Sequence, residues 1–118
     1  MPELTEQELN RFFAEVEYGV DTVNVVNNLL YSTAEQNLDV GWVWPIDYVH
    51  DLNALMRVAD KEFVEYNWRA WRDNDGYAGF ISQSILPRCH GYCRDSQPTM
   101  QLMIARALHA AIMAKRGR

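Results

Sequence analysis

Val64-Glu65-Tyr66-Asn67-Trp68-Arg69-Ala70, closed by Asp73-Asn74-Asp75-Gly76 and followed by Tyr77 to Ser82, decides the fold. Before this stretch the apolar residues recur with a helical period. Here the period drops to two. Val64, Tyr66, Trp68 and Ala70 alternate with Glu65, Asn67 and Arg69, as in a strand with one wet face. The Asp-Asn-Asp-Gly run is turn chemistry, and Gly76 takes a positive φ at little cost. The spacing therefore predicts an antiparallel hairpin. Ile85 to Tyr92, interrupted by Pro87, predicts a third strand at a sheet edge, because proline cannot donate to a ladder. By strand parity Trp68 and Trp71 point to opposite faces.

Helices flank this sheet. Thr5-Glu6-Gln7-Glu8 reads as a capping box. Leu9, Phe12, Phe13 and Val16 follow at i, i+3, i+4 and i+7, and Gly19 is a natural stop. A helix over Glu6 to Tyr18 is expected. Asp21 can cap a further segment in which Val23, Val26 and Leu30 keep helical spacing; the same valines suit a strand, so both readings stand. Asn37 to Pro45 is a connection in which Trp42, Val43 and Trp44 could form a short extended piece. Asp47 is expected to cap a helix from Tyr48 to Ala59, with Val49, Leu52, Met56 and Ala59 in register. Ser96 is expected to cap the last helix, with Pro98 in its first turn. Leu102, Ala105, Leu108 and Ile112 form its stripe, and its many alanines permit close approach to a sheet. The reading is an α+β fold in a single domain over residues 1–118. A small antiparallel sheet of two or three strands packs against three or four α-helices.

The chain has 118 residues, 48% of them hydrophobic and 23% charged, which excludes wholesale disorder. No apolar run reaches the roughly 18–20 residues of a membrane span, and Met1 to Arg11 has no signal-peptide pattern. The expected location is the cytoplasm. Net charge is −5, unevenly spread. Residues 1–65 hold thirteen acidic and three basic residues; residues 66–118 hold three and eight. The tail Lys115, Arg116 and Arg118 suits the negative end of a helix.

Motifs for chemistry are sparse. Cys89-His90-Gly91-Tyr92-Cys93 offers at most three ligands at a non-standard spacing, so no metal and no disulfide are expected. No nucleophile elbow, phosphate loop or His-x-x-x-His pair occurs. His50 adjoins Asp51 in sequence, but neighbours on a helix do not face each other. No cofactor and no catalytic residue is expected.

The string Tyr48-Val49-His50-Asp51-Leu52-Asn53-Ala54-Leu55-Met56 resembles a helix of small phage-encoded proteins of the ABA-sandwich type. The opening Leu4-Thr5-Glu6-Gln7-Glu8-Leu9-Asn10 is similar to theirs, as is Pro98-Thr99 followed by the Ala-rich Ile104 to Ala114. Some small phage proteins of this size and acidity are anti-CRISPR inhibitors. The resemblance thus implies a non-enzymatic protein, acting in the cytoplasm of a bacterial host, that blocks a host protein such as a CRISPR effector subunit. The charge pattern supplies a means. Glu15, Glu17, Asp21, Asp60, Glu62 and Glu65 could form one negative surface that mimics nucleic acid, and Trp42 could anchor the interface. Two other readings stand beside it. One is a nucleic-acid-associated module using Arg69, Arg72, Arg88, Arg94 and the basic tail. The other is a homo-oligomer that pairs strand edges or exposed tryptophans.

Overall fold

A computed structural model of the chain describes residues 4–19, 23–26, 29–32, 47–84 and 88–117. Among them the element order is α1 (Glu6–Tyr18), β1 (Val23–Val26), β2 (Leu29–Ser32), α2 (Leu52–Glu62), β3 (Asn67–Asp73), β4 (Gly76–Gln83), β5 (Cys89–Gln97) and α3 (Met100–Arg116). β1 and β2 form an antiparallel pair. β3, β4 and β5 form an antiparallel sheet in that order, with α3 laid across β4 and β5 and with α1 and α2 packed on α3. The architecture is α+β. Among the described residues no helix is long and apolar enough to cross a membrane.

α1 begins as its capping box dictates. Thr5 accepts from the Glu8 amide at 3.2 Å, and the Glu8 carboxylate accepts from the Thr5 amide at 3.3 Å. Leu9, Phe13, Ala14 and Val16 are buried on one face, and Gly19, at φ +94°, ends the helix.

Residues 23–26 and 29–32 pair as strands, not as a helix, so the strand reading of the valines holds. Val23, Val25 and Val26 fit a pleated ladder better than a helix, where branching at Cβ crowds the preceding turn. The Trp42-Val43-Trp44 piece lies outside the described residues.

α2 starts four residues later than the spacing suggests, with Asp51 rather than Asp47 as its cap. Asp51 accepts from the amides of Asn53 and Ala54. The cause is tertiary. Asn10 of α1 accepts from the amides of Tyr48 and Val49 at 2.7 and 3.1 Å, which holds residues 47–50 in a turn. Tyr48 is fully buried there and donates to Glu17.

The alternation that predicts β3 begins too early. Val64 is 89% exposed, while Phe63 next to it is buried as the end of α2. Paired strand starts only at Asn67. The 73–76 turn is where expected: Asp73 pairs with Gly76, and Gly76 has φ +139°. β5 runs to Gln97, past the expected Ser96 cap, and Thr99 caps α3 instead by accepting from the Leu102 amide. Ser96 is taken by the sheet, where it donates to the Asp73 carboxylate at 2.9 Å. Ile85, Leu86 and Pro87 lie outside the described residues, and β5 is an edge strand as expected.

One core joins the layers: Leu9, Phe13, Tyr48, Leu55, Val58, Ile81, Met103, Ile104, Leu108 and Ile112 are all essentially inaccessible to water. The contact of α3 with β5 is close because Gly91 has no side chain. A Cβ there would stand 2.0 Å from the Ala107 carbonyl oxygen and 2.7 Å from the Ala111 Cβ.

Candidate binding face

The helices cover one face of the sheet only. Directly opposed residues of antiparallel strands share a face. Ala70, Gly79 and Cys93 therefore stand with Ile81 and Gly91 beneath α3, and Asn67, Arg69, Trp71, Phe80, Ser82, His90 and Tyr92 stand on the other side. Among the described residues no helix covers that second face.

Aromatic rings run across it from strand to strand. Trp71 of β3 lies 6.3 Å from Phe80 of β4, centroid to centroid, and Phe80 lies 5.6 Å from Tyr92 of β5. His90 stacks beside Tyr92 at 6.1 Å. Trp71 is 49% exposed and Tyr92 50%. Ala78, opposite Trp71, is buried. Arg69, directly opposite Phe80, is exposed, and its side chain makes no hydrogen bond or ion pair among the described residues. Asp73 is the one carboxylate among the paired positions of this face. It is occupied: the Asp75 amide and the Ser96 hydroxyl donate to it and hold its pKa below the usual range.

Several of the acidic residues expected to form a negative surface are held in ion pairs and hydrogen bonds within the fold. Glu17 ties the helices together, accepting from Tyr48 Oη at 2.7 Å and from Arg57 at 2.5 and 2.9 Å. Burial raises its pKa, but Arg57 and Tyr48 outweigh that and leave it lowered. Burial first, and then the bond to Glu17, pushes the Tyr48 hydroxyl up. Glu62 is clamped by Lys115 and by Arg116 at 2.6 Å, which overcome burial and lower its pKa. Lys115 and Arg116 of the basic tail thus tie α3 to α2, and Arg118 lies outside the described residues. Glu15 pairs with Arg11 at 3.1 Å, and Asp60 accepts from Tyr66, whose pKa is raised to about 12 by burial and by that bond. Glu65 is exposed. Asp21 and Trp42 lie outside the described residues. Of the basic residues, Arg72 packs over the Tyr77 ring and Arg88 donates to the Ser84 carbonyl.

The histidines divide by environment. His50 bonds Asp47, not its neighbour Asp51, at 2.9 Å, and that bond raises its pKa. His109 packs edge-on against Phe12, and burial lowers its pKa. Cys89 and Cys93 are free, buried thiols. They lie on one strand four residues apart, a span of roughly 13 Å at the strand rise of about 3.3 Å per residue. A disulfide requires Cα atoms within about 7 Å, so the two cannot pair with each other. No group of three metal-ligating side chains occurs among the described residues.

Fold and face together define a class: an α+β domain whose antiparallel sheet is helix-covered on one side and, among the described residues, aromatic and uncovered on the other. Comparison with protein-family models, with curated proteins and with solved structures yields no match to this chain.

Trp71 belongs to the sequence reading through its parity with Trp68. The aromatic row does not. Its β3–β4 half could be read from the 73–76 turn, which fixes Arg69 opposite Phe80. The Tyr92 half depends on the β4–β5 register that pairs Phe80 with Tyr92, which no turn signal in the sequence fixes.

Proposed function

We propose that this protein is a non-catalytic module that binds single-stranded nucleic acid on the open face of its sheet. The observation that carries the reading is the continuous Trp71–Phe80–Tyr92 row with Arg69 beside it. Unpaired bases stack on exposed aromatic rings of antiparallel sheets, and a neighbouring cation meets the phosphates. Charge complementarity supports it: in a chain of net charge −5, the only unengaged charge at the paired positions of this face is Arg69. Glu17 and Glu62 lie in ties between the helices, away from this role. Stacking rather than phosphate neutralisation drives the interaction. One cation neutralising one phosphate gives a salt slope of only about −0.7 for single strands.

The test is fluorescence anisotropy of labelled single-stranded DNA and RNA oligonucleotides, with duplex of the same sequence as control. Binding to single strands that is weakened by Trp71→Ala, with duplex ignored, is the expected result. No binding at low salt, or equal binding to duplex, would sink the reading.

A second reading keeps the same face and changes the partner. Half-exposed Trp and Tyr are typical interface anchors, so Trp71 and Tyr92 could seat a host protein, as in a phage inhibitor of a CRISPR effector acting in the bacterial cytoplasm. Co-purification of a stoichiometric complex with an effector subunit, dependent on Trp71 and insensitive to nuclease, would favour it over the first.

A further inference from the structure

The sheet has two edges, and they differ. The β5 edge lies on a strand whose pairing with β4 is broken by a register shift between Tyr77 and Gly79, and a bulge of this kind twists an edge away from partners. The β3 edge carries no such bulge. Its pairing with β4 is regular from Asn67 to Asp73, and it contains no Pro, Gly or Lys. Among the described residues no strand pairs with its outer side. α3 lies over β4 and β5, and Trp68, on the helix side of β3, is 41% exposed. Every residue of β3 except Ala70 is exposed.

The sequence of this edge is complementary to itself. Asn67-Trp68-Arg69-Ala70-Trp71-Arg72-Asp73, laid antiparallel against a second copy about Ala70, sets Trp68 opposite Arg72, Arg69 opposite Trp71 and Asn67 opposite Asp73. Four cation–aromatic pairs and two amide–carboxylate pairs result, and no like charges meet. The faces also agree. Trp68 and Arg72 both stand on the helix side, and Arg69 and Trp71 both on the open side, so a two-fold axis at Ala70 keeps the helices of both copies on one side.

We propose that β3 is a homodimerisation edge. Two copies join β3 to β3 about Ala70, forming a six-stranded sheet with one uninterrupted open face. Main-chain bonds between the edges supply affinity, and the Trp–Arg pairs fix the register. The proposal does not rest on the nucleic-acid reading, since a monomer could bind a strand and a dimer could fail to.

Sedimentation equilibrium of the full chain, joined to disulfide trapping, tests it. The wild type is expected to be a dimer. Ala70→Cys is expected to give a covalent dimer under mild oxidation, because opposed residues of an antiparallel pair hold their Cβ atoms about 4.5–5.5 Å apart. Ser82→Cys, on the central strand, is expected to give none; the native cysteines are buried. Arg69→Glu combined with Arg72→Glu changes only exposed side chains and is expected to weaken the dimer at least about tenfold by removing all four cation–aromatic pairs. A monomer at every soluble concentration overturns the proposal. So does a dimer that Ala70→Cys fails to cross-link, or one that the double reversal leaves unchanged.

Discussion

Ala111 of α3 rests directly on Gly91 of β5, close enough that a Cβ on residue 91 would come within 2.7 Å of the Ala111 methyl. This contact commits one face of the sheet to the helices and leaves the aromatic row on the other. Gly91→Ala pushes a methyl into the backbone of α3 as well, 2.0 Å from the Ala107 carbonyl oxygen. Overpacking of this sort costs about 1–3 kcal/mol. Urea denaturation should show a lower midpoint for the variant; an unchanged midpoint would mean that α3 does not lie on β5 in this way.

Glu17 joins α1 to the turn before α2 through Tyr48 and to the middle of α2 through Arg57. Glu17→Gln keeps the shape and removes the charge. A hydrogen bond to a charged group contributes about 1.5–3 kcal/mol, and a loss of that order is expected. Glu65→Gln, at an exposed carboxylate, should change stability by less than about 0.5 kcal/mol. Equal effects at the two positions would contradict the tie.

Acid should unfold the domain in a predictable window. The folded pKa values of Glu17 and Glu62 lie below the ordinary 4.5. Between those values and 4.5 the unfolded chain binds more protons, so the stability they contribute is complete above 4.5 and lost as pH falls through the folded values. His109 acts in the same direction from a higher starting point. Its folded pKa lies below 6.5, so acidification through 6.5 already favours the unfolded chain. In Asp47→Ala, which removes most of the opposite-signed shift of His50, denaturation midpoints measured from neutral to strongly acid pH should decline in both windows. His109→Phe should remove the upper step and leave the lower one.

On the open face, base stacking on an aromatic ring contributes about 1–3 kcal/mol per base by alanine substitution. Trp71→Ala and Tyr92→Ala should each weaken single-strand binding accordingly, with the far-ultraviolet circular dichroism unchanged. Arg69→Gln should flatten the salt dependence more than it lowers the affinity at high salt. A salt slope untouched by Arg69→Gln would place the phosphates elsewhere.

Asp51, rather than Asp47, is the cap of α2. Asp51→Ala should therefore cost about 1 kcal/mol, the usual worth of an N-cap. Asp47→Ala should leave helix content as it is. It should return His50, whose pKa is raised chiefly by the bond to Asp47, toward its ordinary value of 6.5, readable by proton nuclear magnetic resonance.

Elements whose signals are local were legible. Thr5, Glu8 and Gly19 bound α1 because capping groups and a positive-φ glycine act within one turn of the chain. Asp73 to Gly76 bound the hairpin for the same reason. Elements whose limits depend on distant partners were not. Asn10 holds residues 47–50 out of the helix from another element, and Asp73 draws Ser96 into the sheet.

The acidic residues teach the same lesson at the level of function. A carboxylate in a sequence reads as a surface charge, and its neutralising partner is invisible when it lies far along the chain. Arg57 stands forty residues from Glu17, and Arg116 fifty-four from Glu62. Periodicity, capping and turn chemistry are short-range, and they suffice for an α+β chain with an amphipathic first helix, a hairpin closing at Gly76 and an Ala-rich last helix. Which charges are spent in joining helices, and which rings line up across three strands, is settled by folding in three dimensions. Those outcomes depend on strand register and helix docking, where each contact is made by residues that the chain itself keeps far apart.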